Sequence, residues 1–454
     1  MTEDQDTPAA DPYVRVRRNY LTGLFTSSLG GGMVSLTSSF LIFQQTKRAS
    51  DVALIIVLSN VPSLLLPTVA NKLAHRWGGP KLYLAVWGAY YSLGLVPFVL
   101  GLTGHLSAIS LLAWYLLLGI VQGIGTPAAG LVRTELAPPG GSSEFNGAAV
   151  RATAVATMIG ILVGGGALSI IGPSWIYLIG ALSGYPLVLS VVPLLKTMVV
   201  ERTGSPPKLS AARQAQRTNP EIRAAFRFGL VIFLLSGYAV TLPAIASGIG
   251  KRAIILSSLQ AAAVFGGLFV VAGVRYIHRR STWLKVQRAC VIVIGVTILY
   301  LGWVALRDHQ PLWYLATAVL AIIPLGFALN LDTSILNAAV QVATPQAVRT
   351  PVLTAFALIP MIALPLSEVI IGGIADLVST SFALLLVGGG TLLLVLIPHH
   401  AAARAAFTAI DDEHVFPEAD LAKVLTIEGI EAAGGVIPDQ IVGPEITNPE
   451  DRDR

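Results

Sequence analysis

Apolar runs of about twenty residues recur along the chain as far as position 397, each ended by a short polar or charged break. As an α-helix, a run of that length crosses the hydrocarbon core of a bilayer. Lipid offers no partner to backbone N–H and C=O groups, so the runs must be helices packed side by side. Charged residues make up 12% of the chain and hydrophobic residues 54%, where a soluble chain carries about 25% charged. The pattern predicts an all-α membrane protein. Reading runs against breaks gives twelve transmembrane helices, at 20–45, 52–72, 82–103, 107–131, 146–171, 174–195, 226–248, 253–276, 289–306, 312–338, 352–375 and 379–397.

Residues 1–12 are polar and acidic, and no small-residue cleavage site follows the first run, so the first span is expected to be retained. The single cysteine, Cys290, excludes an intramolecular disulfide. With the N-terminus inside, 25 of the 30 Lys and Arg residues fall on the inner side; Lys47, Arg48, Lys251, Arg252 and Arg307 are the outer ones. Cytoplasmic loops are enriched in Lys and Arg, so a multi-pass protein of the cytoplasmic (inner) membrane with both termini cytoplasmic is expected. The basic turn "NKLAHRWGGPK" at 71–81 then lies inside, between spans two and three. Gly78, Gly79 and Pro80 break the helix there, and the cations meet the anionic leaflet.

The polar, basic segment 196–225 divides the spans six and six. The expected organisation is a cytoplasmic segment at 1–19, a six-helix bundle at 20–195, a linker at 196–225, a second bundle at 226–400 and an acidic tail at 401–454. A weak repeat supports two halves. "LVRTELAPPGG" after span four matches "NAAVQVATPQAVR" after span ten, with Glu135 on Gln341; "GILVGGGAL" in span five matches "LSEVIIGGIAD" in span eleven, with Gly164-Gly165 on Gly372-Gly373. Parallel halves with binding at their interface are a transporter architecture.

At this point the sequence resembles the major facilitator superfamily. The loop after span two is similar to that family's G-x-L-A-D-R-x-G-R-K motif, with Leu73, Ala74, Arg76 and Gly78 matching, Asn71 in place of the first glycine and His75 in place of the aspartate. "QVATPQAVRTPV", from Gln341 through Arg349, resembles a second pattern before span eleven, with Thr350 replacing its glycine. "FNGAAVRATAVATMIGILVGG", with Asn146, Gly160, Gly164 and Gly165, resembles span five of bacterial siderophore and drug exporters. That branch's usual arginine and proline fall on Thr157 and Ile161. The resemblance implies two six-helix bundles in the major facilitator fold. It also implies a gating loop involving His75, Arg76, Gly78 and Arg349. The family's aspartate faces the N-terminus of span eleven; with His75 there, Glu135 or Glu144 is the alternative anion.

Ionisable groups within spans are costly and usually mark function. The first half has almost none. Span one carries Ser28, Gly32, Ser35 and Ser39 on one face, which reads as close helix packing or as a pocket wall. The GxxxG spacings Gly119–Gly123 and Gly160–Gly164 read as packing. In span ten, Asn330, Thr333, Ser334, Asn337 and Gln341 form a stripe that lines water or another helix; its outer part is a pocket candidate, with Gln122 of span four facing it. Asp332 lies off that stripe, and Arg275, Arg279 and Arg280 are its expected partners. Glu368 sits deep in span eleven. Pro360 and Pro365 precede it, span two carries Pro62 and Pro67 at the same spacing, and all four are hinge candidates. Glu368 and Asp332 are the proton-coupling candidates, because a carboxylate removed from water holds a proton more readily.

No P-loop, H-E-x-x-H or cysteine cluster occurs, and His399-His400 makes a poor metal site, so no enzyme, cofactor or metal is expected. The tail carries twelve acids from Asp411 onward against three bases and is expected to be mostly disordered, with a short amphipathic helix at residues 418–430 as the alternative. The sum is a secondary active transporter working by alternating access. It would export an amphipathic small molecule by proton antiport, as a monomer in the bilayer, without nucleic acid. A lipid-handling transporter of the same fold and a non-transporting membrane sensor or scaffold are the alternatives.

Overall fold

The computed structural model describes residues 13–138, 142–196, 209–250, 252–270, 283–307, 313–345 and 348–396, with the single residues Gly273 and Pro311. The acidic tail, and with it the alternative of a short amphipathic helix, lies outside these residues.

Seven helical segments are long and apolar enough to cross a membrane, by length and composition. One of them, Phe145–Ser190, holds two spans. Three shorter apolar helices and α1 complete the twelve. In the first half these are α1 (Val14–Thr46), α2 (Ala49–Leu65) continued by α3 (Pro67–Trp77), α4 (Gly79–Leu93) continued by α5 (Leu95–Leu102), α6 (Ala108–Leu136) and α7 (Ser142–Ser190). The turn between the two arms of α7 falls on Gly172, whose φ of 79° suits glycine, and Pro173 follows it. The second half holds α9 (Pro220–Leu234), a 3-10 turn at Gly237–Thr241, α10 (Leu242–Ile249), α11 (Ala253–Leu268), α12 (Trp283–Ala305), α13 (Trp313–Ala343), α14 (Arg349–Leu377) and α15 (Thr380–Leu396).

Between the halves stands α8 (Leu209–Thr218). The stretch expected to be linker as far as 225 is therefore shorter. α8 buries Ala212 and Ala215 and packs against α9 and α14, and Asn219 then caps α9 through bonds to the Glu221 and Ile222 N–H groups.

Antiparallel succession gives the bundle two faces. The terminal face holds the start of α1, the Leu136 carbonyl that accepts from Arg17 Nε, and the Ala343 carbonyl that accepts from Asn219 Nδ2 at 3.1 Å. The opposite face holds Gln45, which bonds to the Leu106 carbonyl at 3.2 Å and the Ala108 N–H at 2.6 Å.

Glycines set the tightest contacts of the first half. A Cβ on Gly160 would lie 2.0 Å from the Leu29 carbonyl, one on Gly32 2.5 Å from the Thr157 carbonyl, and one on Gly30 1.9 Å from Ser183 Oγ. α1 thereby lies backbone to backbone on both arms of α7. Gly119 and Gly123 do the same for α6 against Leu58 and Ser63 of α2, so both GxxxG spacings are packing surfaces. The halves meet along two helix pairs, α2 with α14 and α7 with α11.

Candidate functional site

The second half places one of its two buried carboxylates, Glu368, against its least regular span. The span Pro220–Ile249 is broken between α9 and α10, an interruption the sequence reading did not anticipate. Its cause is local: Pro243 has no N–H and its ring excludes a helical carbonyl at Ala239, while Ser236-Gly237 ends the preceding turn. Ser367 of α14 fills the gap. Its hydroxyl accepts from the Gly237 N–H at 3.0 Å and donates to the Leu234 carbonyl at 2.6 Å. A Cβ at Gly237 would lie 2.5 Å from Ser367 Oγ and 2.8 Å from the Glu368 nitrogen, so only glycine fits.

Glu368 follows Ser367 into this junction. It is 6% exposed, so it does not snorkel to an interface, and its Oε2 is buried with no hydrogen-bond partner. Tyr238, on the break itself, is buried as well. A buried polar atom without a partner is uncommon and calls for a functional account.

Asp332 has a different setting. It is buried between α13 and α12 and accepts from Gln287 Nε2 at 3.2 Å. The expected arginine partners lie outside the described residues. Gln287 escaped the sequence reading because that reading began span nine at 289, two residues after it.

The pocket candidates do not converge. Ser35 is exposed and Ser39 buried on α1, and Gln122 is half-buried. The span-ten stripe meets a helix rather than a cavity: Asn330 faces Gly267 of α11, and the buried Thr333 and Ser334 hydroxyls bond back to the Leu329 and Asn330 carbonyls. Ser38, passed over in favour of its neighbour, pairs with the Tyr177 hydroxyl at 2.9 Å between α1 and the second arm of α7.

Of the hinge candidates, Pro67 separates α2 from α3 with Leu66 between them. Pro62 sits inside α2, and Pro360 and Pro365 sit inside an unbroken α14. Proline therefore breaks span two and leaves span eleven continuous, contrary to the symmetry expected.

The gating loop turns at Gly78, whose φ of 81° is the left-handed region, and Pro80 enters the first turn of α4. Arg76 and Glu135 are both exposed, and no ion pair joins them among the described residues. The His75 and Glu144 side chains lie outside the description. Arg349 opens α14 with its Nε buried and unpartnered. Its N-cap residue, Val348, makes no side-chain capping bond, and no acid stands in its first turn.

At the opposite face the arrangement is complete. Asp376, near the end of α14, accepts from the Ala49 N–H at 2.7 Å, the Ser50 N–H at 3.0 Å and the Ser50 hydroxyl. The sequence reading assigned it no role. Gly372, one turn earlier, lies so close that a Cβ would be 2.9 Å from Ser50 Cα. Gly165 of α7 meets Ser257 and Ala253 of α11 in the same way. A cavity of about 180 Å³ remains there between α1 and α10, lined by Phe40, Phe43, Lys47, Pro243 and Arg252 among others.

The family profile described as Major Facilitator Superfamily matches residues 20–367. No curated protein sequence matches the chain. Among solved structures, an autoinhibited POT family peptide transporter is similar with a TM-score of 0.64 at 14% identity, covering 86% of this chain and 97% of that one. The nucleoside transporter NupG is similar with a TM-score of 0.62 at 16% identity, covering 86% and 99%. A bacterial homologue of the human lysosomal transporter Spinster, inward-facing and unoccupied, is similar with a TM-score of 0.50 at 16% identity, covering 92% and 99%. At such identities the likeness shows the fold, two six-helix bundles in a multi-pass membrane protein. Family and fold together mark a transporter, not an enzyme: the chain belongs to the Major Facilitator Superfamily.

Proposed function

We propose that the chain is a proton-coupled secondary transporter of a weakly polar, amphipathic small molecule, working by alternating access as a monomer in the cytoplasmic membrane. The observation that carries the coupling is the Glu368 carboxylate, buried with Oε2 unpaired against the broken span Pro220–Ile249. A carrier must gain and lose a proton as the halves rock, and a group at a helix break has surroundings that change with that motion. Asp332, held by Gln287 inside the second half, lacks such a boundary. Both termini are placed in the cytoplasm by the distribution of Lys and Arg. The conformation then reads as closed outside, where Asp376 joins α14 to α2. Export is proposed on the resemblance of span five.

The test uses proteoliposomes and the protein with Glu368→Gln. Proton-driven flux should fall at least tenfold while exchange of labelled for unlabelled substrate persists. Undiminished proton-driven flux in the variant removes Glu368 from the mechanism. Vesicles that move no solute under any gradient favour the sensor or scaffold.

A further inference from the structure

We propose that Asp376 is the latch of the gate at the opposite face: a helix cap that the second half supplies to the first only while that face is shut. The inference rests on the alternating-access reading and adds a residue that controls its equilibrium.

The N-terminus of α2 has Asp51 in its first turn but no capping bond from its own N-cap residue, Arg48. The first backbone N–H groups of a helix have no intrahelical partner and carry a partial positive charge. Two of them, on Ala49 and Ser50, are bonded by the Asp376 carboxylate, which lies 326 or more residues away in the chain and in the other half. The Ser50 hydroxyl adds a third bond. These are charge-assisted bonds, roughly twice as strong as neutral ones. Gly372 makes them geometrically possible by letting α14 approach the α2 backbone without a side chain between.

The pseudo-equivalent contact of the other helix pair lacks this feature. Gly165 of α7 approaches α11 as Gly372 approaches α2, but neither Leu168, on which the repeat places Asp376, nor Ser169, one turn after Gly165 and bonded back to the Gly166 carbonyl, offers a carboxylate. The N-cap of α11, Arg252, likewise makes no side-chain bond. One helix pair therefore closes by shape alone and the other by shape and charge. Rocking the halves apart at this face must separate Asp376 from Ala49 and Ser50, and leaves the α2 terminus to water. The latch weights the equilibrium toward closure there, and its removal moves the population toward opening.

The experiment measures conformation rather than transport. In a Cys290→Ala background, His105→Cys and Leu306→Cys place one spin label on each half at exposed positions of this face. Pulsed electron resonance then gives the short and long distance populations in nanodiscs. Asp376→Ala should raise the ratio of long to short about tenfold. Asp376→Asn, which keeps an acceptor, should raise it less, and Ser50→Ala, which keeps both backbone donors, only about twofold. Gly372→Val separates the helices by bulk alone. If Gly372→Val lengthens the distance and Asp376→Ala does not, the latch is overturned and alternating access stands. If neither lengthens it, both the latch and the moving gate are overturned.

Discussion

The two halves share an outline and divide the labour. The first half is a frame: α1 is one helix of 33 residues laid on α7 through Gly30, Gly32 and Gly160, and its buried polar contacts are hydroxyl pairs such as Ser38 with Tyr177. In the second half the corresponding span is broken, and the buried acids Asp332 and Glu368 both lie there, as does the gate carboxylate Asp376. Close backbone packing favours rigidity, because van der Waals contact is lost steeply with separation. A broken helix stitched by one serine has a cheaper way to bend. The lesson is that pseudo-symmetry of fold need not mean symmetry of mechanism: spans two and three of the first half are also interrupted, at Leu66 and Gly94, but among the described residues only in the second half does a buried acid stand against the break.

The largest effect should come from attacking the frame. Gly160→Val puts a side chain into the Leu29 carbonyl and should destabilise the protein by about 3 kcal/mol, the upper part of the range for overpacking. Gly31→Ala, on the same contact helix but with nothing within 4 Å, should be close to neutral. Thermal unfolding of the two purified variants checks this. Equal behaviour would mean that α1 and α7 can part without loss, and the first half would not be a frame.

The frame was readable from sequence because its signals are local. Run length and charge breaks located all twelve spans, and Gly160 and Gly164 stood at a packing spacing. Glu368 was visible as a lone acid in an apolar run. Its setting was not, since Ser367 works by reaching a backbone gap 130 residues away, and the gap itself hides in an apolar stretch where only Gly237 and Pro243 hint at it. The span-ten stripe shows a general limit: periodicity tells which residues share a face, not whether that face meets water or Gly267. Likewise α8 was missed because its buried side is made of alanines, a weak hydrophobic signal in a polar stretch. Asp376 reads as an ordinary acid at a helix end until the fold brings α2 beside it.

A middle-sized effect should come from the stitch. Ser367→Ala leaves the buried Gly237 N–H without its acceptor, which costs about 2 kcal/mol. Ser190→Ala in the first half removes a hydroxyl that bonds back to the Leu187 carbonyl of its own helix, and should cost roughly 0.5 kcal/mol. Hydrogen exchange gives a second reading. Amides at 235–241 should exchange faster than those in the middle of α1, and Ser367→Ala should widen the difference. If exchange at 235–241 is unchanged by the substitution, the serine does not hold the break.

The smallest effect concerns the charge that His75 replaces in the gating loop. Two helix starts belong to the α2–α14 pair. That of α2 is capped across the halves by Asp376. That of α14, on the terminal face, has the N-cap residue Val348 with no capping bond, no acid in its first turn, and Arg349 with an unpartnered Nε. The loop that in the family offers an aspartate to this helix start carries His75 instead. In the family's arrangement His75→Asp returns an anion to a helix N-terminus and an arginine, where such a charge stabilises by about 0.3–1 kcal/mol and is screened by salt. That corresponds to roughly a twofold to fivefold shift toward closure of the terminal face. Spin labels at Lys81→Cys and Arg213→Cys, one on each half at the terminal face and both exposed, report it as a gain in the short-distance population that fades at high salt. The same gain in Arg349→Ala would trace the attraction to the helix start, and its loss there would trace it to the arginine. No gain in His75→Asp at low salt would mean that the asymmetry between the two gates does not arise from the missing aspartate.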